Sequence, residues 1–170
     1  PAQRQEVDLR AYQLAKLNEV LAFVVQNNAF YREKLRGVTL PLRSLEDVQH
    51  LPFTTKRELI EDQQNHPPFG RNHTFPETCY IRYHQTSGTT GRPLKVLDTE
   101  ESWAWWQACW LEVLRASGVT PSDRLFLAFS FGPFLAYWGA WEGARLLGAL
   151  AISGGAMTSL ERLHFLLDHR

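Results

Sequence analysis

The first part of the chain carries apolar residues at helical spacing. Residues 5–26 have them at intervals of three and four, which predicts an amphipathic helix. A shorter helix is predicted over residues 29–36, where the pattern ends at a glycine. Thr55 and Glu58 have the spacing of a capping box and predict the start of a further helix. Residues 1–76 are therefore expected to form a helical amino-terminal segment.

The pattern then changes to short runs of strand-forming residues. Residues 79–85 and 93–97 are predicted strands, separated by a polar turn. A long helix is expected to follow and to end near residue 117, with Asp98 and Glu101 as its capping pair. These features predict a hairpin followed by a helix.

Residues 124–130 form a nearly continuous apolar run, which is typical of a strand buried on both faces. A helix over residues 134–147, a strand over 149–153 and a helix over 159–169 are predicted after it. Strand, helix, strand and helix in this order make the unit of a parallel α/β sheet. The fold class is therefore α/β: a helical amino-terminal segment, then a hairpin and a partial parallel βαβα layer over residues 77–170.

Two parallel strands leave a sheet edge without hydrogen-bonding partners. We therefore expect residues 77–170 to be the start of a larger α/β domain that is incomplete here. The chain begins without methionine and stops inside a predicted helix, which also suggests a piece of a longer protein. Otherwise another chain would cover the open edge, in a homodimer or by exchange of structural elements.

Charge and cysteine content exclude several classes of function. Lys and Arg number 18 and Asp and Glu number 18, so the formal net charge is +0. Nucleic acid and membrane surfaces select a basic excess, and neither is an expected partner. Cys79 and Cys109 lack the spacing of a metal site, and no apolar run is long enough to span a membrane. A reduced, cytoplasmic protein without a metal site in this chain is the expectation.

A run of small polar residues joins the two predicted strands of the hairpin. It consists of Thr86, Ser87, Gly88, Thr89, Thr90 and Gly91, with Arg92 and Lys95 close behind. Glycines let backbone N–H groups turn toward one centre, and the hydroxyls add rotatable donors. Such a loop binds anions, and the two cations would neutralise charge on the same anion. The spacing is not that of a Walker A loop, and an ordinary polar turn is the alternative interpretation.

The segment from His84 to Pro93, His-Gln-Thr-Ser-Gly-Thr-Thr-Gly-Arg-Pro, resembles the phosphate loop of the adenylate-forming superfamily of acyl-CoA synthetases and adenylation enzymes. Its form is closest to the phenylacetate–CoA ligase family. Residues 51–56, 131–134 and 143–155 agree with that family in the same order. The resemblance covers nearly the whole chain and implies the amino-terminal portion of such an enzyme.

In that family a carboxylate attacks the α-phosphorus of ATP, and the acyl group of the resulting acyl-adenylate is transferred to coenzyme A. The resemblance implies that residues 86–91 wrap the β- and γ-phosphates and that Arg92 or Lys95 supplies positive charge. Leu94 stands where many members of the superfamily have lysine, so Arg92 is the preferred ion contact. His84 is expected to support the loop by hydrogen bonding and not to act as a base.

The resemblance implies that other parts of the active site lie beyond these 170 residues. They include the adenine-binding motifs, the Mg²⁺ ligands and a catalytic lysine. No catalytic residue is therefore expected within this chain, and the isolated chain is expected to lack ligase activity.

Four residues lie at a predicted junction between strand and helix, near which the resemblance implies part of the carboxylic-acid pocket. They are Phe131, Gly132, Phe134 and Trp138. Ligands of α/β sheets bind beyond the carboxyl ends of the strands, where this junction lies. An aromatic lining suits an aryl or other apolar acid, with phenylacetate as the example. Trp141 belongs either to this pocket or to the core.

Two other functions remain open from the sequence. An adenylating enzyme would pass the acyl group to a carrier protein or an amine instead of CoA. A non-catalytic fragment would act as an interaction module, which binds a partner and has no affinity for nucleotide. An acceptor screen separates the first alternative from the CoA ligase, and a nucleotide-binding measurement separates the second.

Overall fold

The computed structural model of the chain describes residues 8–88 and 91–169. The chain divides into two units, Pro1–Glu77 and Thr78–Arg170. The described part of the first unit consists of helices and loops, whereas the second contains strands as well. None of the described helices is long and apolar enough to cross a membrane.

Side-chain caps mark where the helices of the first unit begin. These helices are α1 (Leu9–Asn27), α2 (Ala29–Lys34) and α3 (Lys56–Asn65), with a 3₁₀ turn at Leu45–His50. The Asp8 carboxylate caps α1, and residues 5–7, which were predicted helical, lie outside the described part. Thr55 and Glu58 form the predicted capping box at the start of α3.

Three buried leucines form the apolar core of the first unit. Leu21 comes from α1, Leu35 follows α2, and Leu42 lies in the loop before the 3₁₀ turn. The Asn18 side chain holds that loop against α1. Its amide nitrogen donates to the Leu42 carbonyl at 2.9 Å, and its oxygen accepts from the Leu42 amide at 2.8 Å. Apolar burial and a satisfied polar side chain thus fix the same loop.

The second unit combines a hairpin with a parallel layer. Its elements are β1 (Tyr80–Gln85), β2 (Lys95–Thr99), α4 (Glu100–Ala116), β3 (Arg124–Leu127), α5 (Leu135–Leu147), β4 (Leu150–Ser153) and α6 (Ser159–Asp168), and a 3₁₀ turn at Glu77–Cys79 precedes β1. β1 and β2 are antiparallel, whereas β3 and β4 are parallel, with Arg124 opposite Leu150 and Leu127 opposite Ser153. The predicted α/β fold, with its hairpin and partial βαβα layer, is confirmed.

Two glycines bring α5 close to α4. A Cβ atom on Gly139 would come within 2.2 Å of Trp106 Nε1 and 2.6 Å of Trp110 Cδ1. A Cβ atom on Gly143 would come within 2.7 Å of Trp110 Cβ. The indoles of α4 therefore pack against the bare backbone of α5, where side chains on these positions would separate the helices.

The predicted cap of α4 is wrong by one residue. The Thr99 hydroxyl, and not Asp98, accepts a hydrogen bond from the Ser102 amide, at 3.2 Å. Asp98 is still part of β2, where it pairs with Arg82 of β1. Its Oδ1 accepts a hydrogen bond from the Ser102 hydroxyl at 2.8 Å, so the carboxylate contacts the first turn of α4 while Thr99 caps the helix.

The strand predicted over residues 124–130 is shorter than expected and is not buried on both faces. β3 ends at Leu127, the one buried residue of its four. Beyond it the chain turns, and the Phe129 amide donates to the Leu127 carbonyl at 2.9 Å. The apolar residues after Leu127 thus belong to a loop that leads toward α5.

The layer formed by β3, β4 and their helices has an apolar face open to solvent. Leu150 of β4 is 58% exposed. Four leucines of α6 are exposed as well: Leu160, Leu163, Leu166 and Leu167. Four exposed leucines on one short helix are typical of a surface that packs against further structure.

Candidate functional site

Hydrogen bonds close the loop between β1 and β2 at its base. Gln85 pairs with Lys95 as the last rung of the hairpin. Beyond this rung the Thr86 amide donates to the Leu94 carbonyl at 3.0 Å, and the Leu94 amide donates to the Thr86 hydroxyl oxygen at 3.0 Å. Thr86, the first of the predicted phosphate-loop residues, therefore fixes the base of the loop.

Glycines give the loop its turn. Gly88 has φ of +69° and Gly91 has φ of +143°, a region that residues with side chains rarely adopt. The Gly91 amide donates to the Gly88 carbonyl at 2.9 Å. A Cβ atom on Gly88 would lie 3.0 Å from the Gly91 carbonyl oxygen and 3.0 Å from Pro93 Cγ. Thr89 and Thr90, also predicted to bind phosphate, lie outside the described residues.

The described part of the loop combines backbone donors with positively charged side chains. No described residue accepts a hydrogen bond from the amides of Ser87 and Gly88. The Arg92 side chain is exposed immediately after the turn, and Lys95 is the first residue of β2. Amide donors beside a cation form the kind of site that binds an anion with several oxygens, such as a polyphosphate.

His84 lies on the buried face of the hairpin, and it is only 2% exposed. Its ring stacks on Trp103 with centroids 5.2 Å apart, and its Nε2 lies 3.5 Å from Asp98 Oδ2. Neither ring nitrogen has a hydrogen-bond partner among the described residues. The predicted hydrogen bond from His84 to the loop is thus not seen in this part of the chain, and its contacts are to β2 and α4.

The surroundings of His84 favour the neutral form of its imidazole. Burial lowers the pKa of His84, and this effect outweighs the Asp98 carboxylate, which raises the pKa; the Arg82 guanidinium lowers it further. A neutral imidazole fits a packed, apolar contact with Trp103. It gives no support to a role as a charged phosphate ligand.

A cavity of about 500 Å³ lies beyond the ends of β3 and β4. Phe131, Trp138 and Trp141 form its aromatic wall. Four small residues complete the lining: Ser130, Ser153, Gly155 and Ala156. The wall and the hairpin are linked directly, because the Gln85 amide donates to the Pro133 carbonyl at 2.7 Å.

The four residues predicted for the acid pocket have different positions. Phe131 and Trp138 line the cavity. Gly132 lies behind it, and its carbonyl accepts a hydrogen bond from Trp138 Nε1 at 2.9 Å. The Phe134 ring turns away to meet Tyr137 edge-on, with centroids 6.0 Å apart. The structure thus brings two of the four to the cavity and gives Gly132 the task of orienting one of them.

The small lining residues were missed in the sequence. Ser130 follows β3, whereas Ser153 and Gly155 lie at and after the end of β4. Because β3 and β4 are parallel neighbours, their carboxyl ends meet at one edge of the sheet. The sequence signal that could have found these residues was the predicted pairing of the two strands, because small residues follow both of them.

Comparisons with known proteins identify enzymes that are similar to the chain. No family model matches the chain. The phenylacetate-coenzyme A ligase of Escherichia coli is 34% identical to it over 161 residues, 91% of this chain and 36% of that enzyme. The enzyme of the same name from Thermus thermophilus is 34% identical over 152 residues, 86% of this chain and 33% of that enzyme. This chain is similar to the amino-terminal part of phenylacetate–CoA ligases. The predicted resemblance is confirmed.

Solved structures of another CoA ligase have the same fold in this region. 2-Hydroxyisobutyryl-CoA ligase in the postadenylation state, with 2-HIB-AMP, aligns with a TM-score of 0.84 and 30% identity over 94% of this chain and 34% of that one. The same ligase with 2-HIB-AMP and CoA aligns with a TM-score of 0.84 and 31% identity over 94% and 35%. The chain spans about a third of the length of the phenylacetate–CoA ligases that it matches.

Proposed function

We propose that this chain supplies the phosphate loop and one wall of the acid pocket of an ATP-dependent carboxylic acid–CoA ligase. The enzyme activates an acid as acyl-AMP, releases pyrophosphate and transfers the acyl group to CoA. The hydrogen bond from the Gln85 amide to the Pro133 carbonyl carries the proposal, because it holds the phosphate loop beside the cavity wall. An acid must lie next to the ATP phosphates if its carboxylate is to attack the α-phosphorus.

The loop's task is to hold the departing pyrophosphate while negative charge grows on it. In this proposal the β- and γ-phosphates are bound by Thr86, Ser87, Gly88, Thr89, Thr90 and Gly91. The free amides of Ser87 and Gly88 are the best donors in the described part, and Thr86 keeps the loop closed. Arg92 supplies the main positive charge and Lys95 a second one. Each hydrogen bond to a charged oxygen contributes about 1.5–3 kcal/mol.

The cavity suits an aryl or another apolar acid. Its volume of about 500 Å³ is in the range of small-molecule sites. Phe131 meets Trp138 at 67° with centroids 4.8 Å apart, and it meets Trp141 at 89° with centroids 5.6 Å apart. Rings crossed in this way offer both faces and edges to a substrate ring. Phenylacetate is therefore the first acid to test.

Mg²⁺ accompanies ATP in this proposal, but its ligands belong outside this chain. Within residues 8–88 and 91–169, no group of three His, Cys, Asp or Glu side chains is arranged to hold a metal ion. Carboxylates are the usual protein ligands of Mg²⁺, and residues 86–95 contain none.

The exposed leucines of α6 bear on the assembly of the protein. A homodimer, or an exchange of elements between two copies, would bury them. Sedimentation of the isolated chain tests this part of the proposal. A monomer at high concentration would contradict it.

AMP release by the complete gene product tests the activity. We expect release to require ATP, CoA and an apolar acid, with phenylacetate among the best of a panel. Arg92→Ala should raise the ATP KM about tenfold or more, because a charge-assisted contact is lost. Arg115→Ala, a change on the exposed end of α4, should leave the KM unchanged. An unchanged ATP KM in Arg92→Ala would remove Arg92 from the site, and AMP release without any acid would contradict the activity.

A further inference from the structure

Arg82 of β1 joins the hairpin to the wall of the aromatic cavity. Its guanidinium carbon lies 4.6 Å from the centroid of the Trp103 ring and 5.8 Å from that of Trp138. Its Nη2 lies 3.4 Å from Glu142 Oε1. Trp103 belongs to α4, and Trp138 and Glu142 belong to α5. One side chain of the hairpin therefore contacts both helices.

A β-bulge directs Arg82 toward these helices. Tyr80 pairs with Thr99 and Arg82 pairs with Asp98, so β1 has one residue more than β2 in this step. The extra residue, Ile81, is 57% exposed. Bulges re-aim side chains and are frequent beside active sites. The hairpin thus departs from regular pairing at the residue that reaches the cavity wall.

The chemistry of these contacts requires arginine. A planar guanidinium stacks on an aromatic face and forms an ion pair at the same time, which the compact ammonium of lysine does less well. The Arg82 side chain is 32% exposed and that of Glu142 is 15% exposed, so solvent screens their ion pair only in part. Arg145 also pairs with Glu142, at 2.8 Å, but its own side chain is 65% exposed.

Trp138 connects these contacts to the cavity. Its ring lines the cavity and meets Phe131, and its Nε1 is held by the Gly132 carbonyl. An acid packed against this ring therefore touches a side chain that Arg82 also contacts. Arg82 precedes Thr86 by four residues in the strand that leads into the phosphate loop.

We propose that Arg82 is a positioning residue that couples the aromatic cavity to the phosphate loop. An anion on the loop changes the packing of Trp138, and an acid in the cavity changes the affinity of the loop for the anion. By thermodynamic linkage, the anion changes the affinity of the cavity for the acid by the same factor as the acid changes the affinity of the loop for the anion. The inference rests on the proposed function, since it takes the loop as the anion site and the cavity as the acid site.

Nuclear magnetic resonance of the 170-residue chain, labelled with 5-fluorotryptophan, tests the coupling. Inorganic pyrophosphate is the probe. The Gly88 amide signal reports on the loop, and the fluorine signal of Trp138, assigned with Trp138→Phe, reports on the cavity. Pyrophosphate should move both signals in the wild-type chain. Phenylacetate should in turn change the pyrophosphate affinity about fivefold or more, the lower end of typical coupling.

Substitution of Arg82 separates the two signals. In Arg82→Gln, pyrophosphate should still move the Gly88 signal, whereas the Trp138 shift should fall to about a third of the wild-type value or less. Arg145→Gln is the matched control, because it loses an ion pair with the same Glu142 carboxylate at an exposed position. Its Trp138 shift should equal that of the wild type.

The outcomes are distinct. A wild-type Trp138 shift in Arg82→Gln overturns the inference. A wild-type chain in which Gly88 responds but Trp138 does not overturns it as well and leaves the phosphate loop in place. If Gly88 itself does not respond, the loop assignment fails and the inference falls with it. If Arg82→Gln does not fold, Arg82→Lys decides: the loss of planar stacking should remove about half of the shift or more, and a full shift overturns the proposal.

Discussion

The two units of the molecule differ in how they bury polar groups. In the first unit Asp62 is 4% exposed, and its carboxylate accepts hydrogen bonds from the backbone amide and the Nε of Arg71. In the second unit His84 is 2% exposed, and neither its ring nitrogens nor Asp98 Oδ2 has a partner among the described residues. A buried polar group without a partner lowers stability, so such groups are rare in native folds.

The difference separates polar groups that hold a fold from polar groups that lie beside a site. The hydrogen bonds from Arg71 to the Asp62 carboxylate hold the loop after α3, which is a structural role. His84 and Asp98 lie in the hairpin that carries the proposed phosphate loop. Their buried atoms that lack hydrogen-bond partners among the described residues lower the stability of this unit. Buried polar groups without hydrogen-bond partners are expected more often at functional sites than elsewhere in a fold. The comparison therefore supports the hairpin, and not the helical unit, as the site of ligand binding.

The largest expected effect is on the first unit. Asp62→Ala should lower its free energy of unfolding by about 3 kcal/mol, because the change leaves the Arg71 amide and guanidinium without their acceptor. Urea unfolding and amide exchange in α3 measure the loss. Glu61→Ala is the control, since its carboxylate is exposed and lies 3.9 Å from Arg57 Nε. Equal losses in the two variants would mean that Asp62 does not hold this unit.

A second change affects the packing of the other unit. Gly139→Ala should destabilise it by about 2 kcal/mol, because the new methyl group would overlap the indoles of Trp106 and Trp110. Urea unfolding with near-ultraviolet circular dichroism follows both the stability and the tryptophan packing. Ala136→Ser, on the exposed side of the same helix, should change neither. Unaltered tryptophan signals in Gly139→Ala would contradict the close contact of α4 and α5.

Mild acid should destabilise the second unit through His84. Burial lowers the pKa of His84 in the folded state, so the unfolded chain takes up this proton near pH 6.5 and the folded chain only at lower pH. The free energy of unfolding should therefore fall as the pH drops below 6.5 and stop falling once the folded state is protonated too. Asp98 and Arg82 are the charged groups that face the ring.

His84→Gln should remove this part of the pH dependence. Amide exchange in β1 and β2, measured on both sides of pH 6.5, is the readout. His164→Gln, an exposed change on α6, should keep the wild-type profile. A His84→Gln profile that matches the wild type would show that His84 is not the group that titrates.

The smallest effect belongs to the first unit at lower pH. Hydrogen bonds from Lys34, and then from the Thr55 amide and hydroxyl, lower the pKa of Glu58 from 4.5 to about 2. The unfolded chain protonates Glu58 near its ordinary value, so the stability contribution is present above pH 4.5 and is lost as the pH falls toward 2. The Glu58 side chain is 37% exposed, so the effect is small.

In Glu58→Gln the free energy of unfolding of the first unit should fall less as the pH drops below 4.5. Glu61→Gln should keep the wild-type dependence. Amide exchange in α3 below pH 4.5 distinguishes them. Together with the His84 measurement, this orders the two units by pH: the second should weaken first. If the first unit weakened at a higher pH than the second, the contrast between the hydrogen-bonded Asp62 and the buried His84 would not hold.

Much of the fold could be predicted from local signals. The capping box of Thr55 and Glu58 acts within one turn, and the glycine-rich turn lies between two strand-like runs, so neighbouring residues were enough to find both. The alternation of strand and helix was enough to predict the parallel layer. Asp98 was misassigned, because a capping pattern in the sequence does not reveal which face of a strand the side chain belongs to.

The cavity was predictable only in part. Phe131 and Trp138 were found because they share one junction in the sequence. Ser153 and Gly155 come from the end of another strand, and they reach the cavity because β4 pairs with β3. Strand order is a property of the whole layer, so no short segment contains it.

The sequence by itself determined a polar glycine loop between two strands, followed by strands and helices in α/β order. It also carried the family resemblance, because the loop motif is contiguous. Only the tertiary structure decided that His84 is buried with no hydrogen-bond partner for its ring among the described residues, and that Arg82 bridges the hairpin and Trp138 across 56 positions of sequence. Local preferences act over a few residues, whereas these contacts depend on strand register, a bulge and the packing of two helices.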